Sequence, residues 1–524
     1  MEKSRTYMTK LNAKASIINR VISLVCNFAS RTVFIKILGN EYLGLGGMFG
    51  NVFSVLSLCE LGFGEAVSQS LYKPLARKEF ALIKSIIQYY SKIYRVISAL
   101  TFTLSVAFMP FLPYVFPDIR KIEGYRAIYL LFVVHQMLSY YFAPKRSLVM
   151  CDQRMYAVMA IRTVTSVLLT VVQIFFLYST QNYLIYIFFR IFFLSADGLV
   201  VNMYANRSFP YINDKNFAAC EIHKDYKKGV WSNTKALIYH RIGGVINSSA
   251  DSILISSCLG FSQMGVYSNY SLIIHSVGGF VSLAVNAASA SVGNLGATEK
   301  AKKSEQVLGK ICFANFVMMT NCTALFVNLI NPFISWWIGP EKCFGTVETA
   351  VIIACFYMSY IRDPVQIFIH SYAVFKSTGP LYIARGILNL VLSLFFVKRY
   401  GAAGVFAGTL ISTVVTAFFF EPVLLFKGAF GTKPGNFMKA YLSYPVVSTA
   451  ICLLTLTVTS HMFTYTLLHM IIRAAAVLVL TNISLAIMYG KTDEFRTLIS
   501  FVPFFRKIKR LNMNKSEHLS NLNG

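Results

Sequence analysis

Apolar positions in this chain fall in long runs rather than in alternation. From residue 15 almost to residue 489, stretches of about 20 mostly apolar residues, the length that crosses a hydrocarbon core, recur with short polar breaks between them. The pattern predicts helices near 15–38, 42–66, 93–116, 127–143, 157–178, 183–204, 236–258, 264–292, 309–336, 347–372, 380–397, 402–426, 440–460 and 468–489. The expected fold class is therefore an all-α polytopic membrane protein of about 14 transmembrane helices. Composition agrees: 56% of the 524 residues are hydrophobic and only 14% charged, which leaves lipid as the solvent for most of the surface. The first 14 residues are polar and the run after them outlasts a cleavable signal, so the N-terminus is expected to stay attached.

Charge then orients the spans. With the N-terminus in the cytoplasm, about 32 Lys and Arg of the connecting segments fall on that side and about 6 on the other. The formal charge of +27 resides in segments such as KPLARKE (73–79), HKDYKK (223–228), EKAKK (299–303) and FRKIKRLNMNK (505–515). Topology and contact with anionic headgroups account for it, and no nucleic acid is implied. Both termini are expected to be cytoplasmic.

Little else points to chemistry on cofactors. The ten cysteines show no CxxC spacing and the eight histidines no HExxH, so neither a redox pair nor a metal site is expected. GLGGMFG (44–50) lies at a helix start with no buried strand before it, and reads as close helix packing rather than a phosphate loop. Residues 205–235 and the tail from 490 are too short to bury a core, so no soluble catalytic module is expected.

A shift of about 221 residues lays Arg20 on Arg241, Leu38-Gly39 on Leu259-Gly260 and Gly44 on Gly265. Each half holds six spans, an even number, so the halves share one orientation, the parallel-repeat plan of many transporters. The expected division is 1–204, a cytoplasmic connection 205–235, a second lobe 236–427, two further helices within 428–489 and a basic tail 490–524.

The repeat also aligns two polar stripes inside the predicted bilayer. On a helix, offsets of 7 and 11 return to nearly one face, which joins Arg20, Asn27 and Arg31, and in the second half Arg241, Ser248 and Ser252, with Asp251 beside them. A charge at the bilayer centre costs about 2.5–3.5 kcal/mol even on the lenient insertion scale. Arg20 and Arg241 are near enough to the cytoplasmic end to snorkel; Arg31 lies past the midplane and needs a wet cleft. Of the other embedded charges, Lys92, Arg95 and Arg473 read as interfacial anchors. Arg162, Arg190 with Asp197, Glu60 with Glu65, Arg362, Asp363 and Glu421 lie deeper or beside an opposite charge.

Two blocks, RTVFIKILGNEYLGLGGMFGNVFSVLSLCELGFGEAVSQSLYKPLARKE (31–79) and HRIGGVINSSADSILISSCLGFSQMGVYSNYSLI (240–273), resemble the Wzx-type polysaccharide flippases of the MATE-like exporter superfamily. Elsewhere the likeness is one of hydropathy and helix count. The resemblance implies two six-helix lobes plus two C-terminal helices in a bacterial cytoplasmic membrane. It implies alternating access that turns an undecaprenyl-diphosphate-linked oligosaccharide across the bilayer for O-antigen, lipopolysaccharide, capsule or exopolysaccharide synthesis, with a polysaccharide polymerase as a potential partner. No bond is broken and no cofactor is required. Arginine suits a diphosphate through bidentate charge-assisted hydrogen bonds, so Arg31, Arg20 and Arg241, with Asn27, Ser248 and Ser252, are the substrate-binding candidates. Asp251 and Glu60 are the candidates for coupling to a proton or sodium gradient, or for gating. A flippase for the peptidoglycan precursor lipid II and a MATE-type drug exporter are the alternatives; the latter is expected to hold a net acidic cavity, against which the arginine stripes argue.

Overall fold

The structure, a computed structural model, describes residues 5–60, 63–214, 242–299, 301–372 and 374–501. Arg241, residues 215–235 of the inter-lobe connection with their basic stretch, and the tail 505–515 lie outside the described residues, as does the side chain of Glu65. The described residues are helical almost throughout and contain no strand.

Among the described residues, eleven helices are long and apolar enough to cross a membrane. Two of them are each two passes joined at a glycine, Gly39 and Gly401, whose backbone leaves the helical region. With residues 242–259, every one of the fourteen expected spans has a helical counterpart. In chain order these are α1 (5–38), α2 (40–56, continued by Ser57–Glu60 and Phe63–Arg77), α3 (Phe80–Phe108), α4 (Tyr125–Cys151), α5 (Met155–Thr180), α6 (Tyr183–Ser208), α7 (242–259), α8 (Gly260–Asn286), α9 (Ala301–Ile338), α10 (Thr346–Tyr360 and Asp363–Ser371), α11 (375–400), α12 (402–430), α13 (Gly435–Thr459) and α14 (Leu467–Tyr489). A short helix, α15 (Asp493–Phe501), follows.

Several helices outlast the runs that predict them. α3 starts at Phe80 rather than near 93 because its first turns are amphipathic, burying Ile83, Ile86, Ile87 and Tyr90 while staying too polar to read as a span. Lys84, in the same turns, is buried because its ammonium donates to the Asp214 carbonyl at 2.6 Å. Inside lipid the hydrophobic effect does not drive one helix onto another, so small residues and interhelical hydrogen bonds do.

Packing groups the chain into two compact units, Met1–Asn269 with Tyr382–Gly408, and Tyr270–Leu381 with Thr409–Gly524. In the first, one apolar cluster gathers around Phe34, Phe49, Phe53, Tyr129, Phe132 and Tyr183, and another around Phe63, Leu71, Ile87, Tyr90, Leu148 and Val149. By sequence α7 and α11 belong to the second half, yet they pack within this first unit.

The second unit is organised by buried polar links. Arg362 donates to Glu421 through Nε at 2.9 Å and Nη2 at 2.6 Å, with the two residues only 2% and 0% exposed. Glu421 lies between two π-helical turns of α12, Val414–Phe418 and Phe426–Phe430. α10 is interrupted beside the same pair, and Asn315 of α9 holds the freed carbonyls of Tyr360 (2.9 Å) and Ile361 (3.2 Å). Asp363 accepts from Ser282 instead, at 2.5 Å, so the neighbouring Arg362 and Asp363 serve different partners. Arg473 is not the interfacial anchor its position suggests. It is buried, donating to Asn328 Oδ1 at 3.2 Å, an oxygen that also accepts from Thr459 at 2.7 Å. Position near a helix end permits snorkelling, but a neighbouring amide acceptor wins here.

Candidate functional site

The candidate residues of the first half lie along α1. Arg20 and Asn27 are exposed and Arg31 is half-buried, on a face distinct from the exposed apolar residues Ile18, Val21 and Val25. At about 100° per residue the polar stripe is turned roughly 130° from that apolar one. Arg31 Nη1 donates to Ser268 Oγ at 2.9 Å and to Asn269 Oδ1 at 3.1 Å, both on α8. Both of these acceptors are neutral, so among the described residues its hydrogen bonds solvate the guanidinium without an ion pair.

The second-half candidates divide. Arg241 lies outside the described residues. Ser248 is exposed and bonds its own helix at Val245 O, 3.2 Å away, whereas Ser252 and Asp251 are buried. Two residues a turn apart on one stripe thus face different surroundings, because α11 covers only part of α7. Asn389 of α11 reaches Asp251 Oδ1 and Asn247 Oδ1, each at 3.5 Å. Ser393, one turn further, donates to Asn389 Oδ1 at 2.9 Å and to the Val405 carbonyl at 3.0 Å. Arg385 is buried on the same face, one turn before Asn389. Sequence reading missed these three; their spacing 385, 389, 393 marks a polar face of a helix, but one helix alone does not show what that face meets.

Glu60 sits where α2 passes from α-helix to the turn Ser57–Glu60, and it accepts a hydrogen bond from Tyr94 of α3. A Cβ at Gly64 would meet the hydroxyl of Tyr90 at 2.8 Å and the Glu60 carboxylate at 2.9 Å, so glycine there makes room for a carboxylate between two phenols. Asp197 pairs with Arg146 of α4 and takes a weak bond from Thr165 at 3.5 Å, not with Arg190 of its own helix. A spacing of seven puts Arg190 and Asp197 on one face but two turns apart, and the facing helix is nearer.

The repeat has a physical counterpart. Gly39 (φ 80, ψ −177) and Gly260 (φ 87, ψ 173) adopt the same backbone conformation, one that residues with a Cβ adopt only under strain. Past each break a glycine lies against the other copy. A Cβ on Gly44 would overlap the Phe261 carbonyl oxygen, and one on Gly265 would overlap that of Asn40. The shift that relates Gly44 to Gly265 also relates Asn40 to Phe261, so the contact is reciprocal, as a two-fold relation requires. GLGGMFG is therefore a packing motif, as its helical context implied.

No family model matches the chain, and no curated protein matches its sequence. Solved structures do share its fold. The lipid II flippase MurJ in an inward closed conformation superposes with a TM-score of 0.62 over 92% of this chain and 99% of that one, at 14% identity. A multidrug resistance MATE family transporter of the MOP superfamily, in an inward-facing conformation, gives 0.52 over 83% of this chain and 98% of its own, at 12% identity. A MATE transporter from Vibrio cholerae gives 0.54 over 81% and 98%, also at 12% identity. The chain thus shares one helical fold with this flippase and these MATE transporters.

Proposed function

We propose that this chain is a membrane transporter, not an enzyme, and that it flips an undecaprenyl-diphosphate-linked oligosaccharide across the bacterial cytoplasmic membrane for surface polysaccharide synthesis. The observation that carries the reading is Arg31, a guanidinium deep in a membrane helix that, among the described residues, donates to the neutral groups of Ser268 and Asn269. A cargo diphosphate competes well for such a group, because a charged acceptor makes hydrogen bonds roughly twice as strong as neutral ones. Asn27 and Arg20 continue the stripe along α1; the glycan occupies the wet cleft and the polyprenyl tail stays in lipid. The transporter alternates access to that cleft.

The cycle needs a driving force, and Asp251 supplies the coupling group. Its carboxylate accepts from Asn389, which also reaches Asn247 and accepts from Ser393, so the acid sits at the end of a chain of amide and hydroxyl groups that can take part in binding a sodium ion or exchanging a proton. Glu60, bonded to Tyr94, is a second carboxylate that gates or exchanges a proton on α2.

The likeness to MurJ favours a second reading, lipid II as cargo. Both cargoes carry a diphosphate, so Arg31 serves either, and the glycan distinguishes them. A cation exporter of the MATE type is disfavoured by the unneutralised arginine. The test is reconstitution: purified protein in proteoliposomes should move a fluorescent undecaprenyl-diphosphate oligosaccharide to the far leaflet. Movement of lipid II alone would establish the second reading, and movement of neither would refute both. Reporter fusions at Gly524 and near Asp214 should behave as cytoplasmic; export of either would overturn the topology.

A further inference from the structure

The first unit holds a second cation that the reading above does not use. Arg190 lies on α6 seven residues past Tyr183, or about 10 Å along the axis, and Arg31 lies seven residues before Leu38, the last residue of α1. Tyr183 at the start of α6 packs edge-on against Phe34 near the end of α1, ring centroids 5.7 Å apart, so the two guanidinium groups start from similar depth in the unit. The acid on its own helix is spoken for, since Asp197 pairs with Arg146. Among the described residues no hydrogen bond or ion pair reaches Arg190, and yet it is exposed.

Which way that exposure faces follows from the helix itself. Of the exposed apolar residues of α6, Phe188, Phe192, Leu199 and Met203 form one stripe with Val200 about 90° to its side, and Arg190 is turned roughly 170° from the centre of that stripe. It shares its face instead with Tyr183, Tyr186 and the buried Asp197 and Val201. An exposed residue on the inward face of a membrane helix borders a space inside the protein, and an unneutralised guanidinium there requires that space to be wet. Tyr186 links it to α1: its hydroxyl is 3.3 Å from Ser30 Oγ, its ring meets Phe34 edge-on at 5.0 Å, and it lies within electrostatic range of Arg31. Arg190 is likewise an electrostatic neighbour of Tyr183 and of His135 on α4.

We propose that Arg190 is a second diphosphate-binding residue, acting with Arg31 on either side of Tyr186. The inference rests on the flippase reading and deepens it: two arginines suit the two phosphoryl groups of a lipid diphosphate, each accepting a separate fork, where one would suffice for a monophosphate.

Binding of undecaprenyl diphosphate and undecaprenyl monophosphate to the full chain in nanodiscs tests this, with Arg190→Gln and Arg190→Lys compared with the unaltered protein at matched folding by thermal melting. A charge-assisted hydrogen bond lost is worth about tenfold or more in affinity. Arg190→Gln should weaken the diphosphate by at least that factor and the monophosphate distinctly less, and Arg190→Lys should recover part of the loss. Equal diphosphate affinity in Arg190→Gln and the unaltered protein would remove Arg190 from the site while leaving the flippase reading intact. Failure of the unaltered protein to bind either lipid would overturn both.

Discussion

The openings of the two repeats, α1 into α2 and α7 into α8, share a backbone and differ in side chains. Both turn at a glycine of the same conformation, Gly39 and Gly260, and both press a later glycine onto the other's carbonyl. On that common frame the first copy carries Arg20, Asn27 and Arg31 on an open face, while the second buries Asp251 and Ser252 against α11. The shift that superimposes the glycines places Ser30 on Asp251 and Arg31 on Ser252. The repeat has thus kept its geometry and divided its chemistry, with an exposed Arg20 and a half-buried Arg31 in one copy and a buried acid held by the Asn389 amide in the other.

The largest effects should come from the shared geometry. Gly44→Val and Gly265→Val each drive a side chain into backbone rather than into a yielding side chain, and overpacking costs about 1–3 kcal/mol even where neighbours can shift. Both variants should reach the membrane and lose flipping in the proteoliposome assay; a defect in one with full activity in the other would break the reciprocity. Next in size is the cargo side. Arg31→Ala should abolish surface glycan display at normal protein levels, Arg31→Lys should keep part of it because charge survives without the fork, and Ser252→Ala, at the equivalent position, should be nearly silent. Equal loss in Arg31→Ala and Ser252→Ala would erase the division between the copies.

Asp251→Asn should act on energy coupling, removing the dependence of flipping on pH or sodium while slower, uncoupled exchange persists. Unchanged ion dependence with full activity would reduce Asp251 to a structural acceptor for Asn389. The smallest effect belongs to Arg20→Ala, exposed in the first half of α1, where even an exposed ion pair is worth about 0–1 kcal/mol. A loss as deep as that of Arg31→Ala would place the diphosphate nearer the mouth than proposed.

How much of this was legible depended on the range of the contact. Helix number, the glycine breaks and the α1 stripe follow from local periodicity, and the pairing of Gly44 with Gly265 was foreshadowed by the shift that aligned them. The partners of charges were not legible, because partner choice is settled across helices. Asp197 goes to Arg146 rather than to Arg190 on its own helix, Arg362 finds Glu421 rather than its neighbour Asp363, and Arg473 turns inward to Asn328. Arg385, Asn389 and Ser393 carried a readable spacing, but only the packing of α11 on α7 shows that they meet Asp251.

The most direct test of the central claim is the accessibility of position 31 to water. With native cysteines replaced, Arg31→Cys should react with a membrane-impermeant thiol reagent in at least one transport state, and undecaprenyl diphosphate should slow that reaction. Protection from the reagent in every state, together with normal glycan display in Arg31→Ala, would show that α1 faces no cleft and that the arginine stripe does not read cargo.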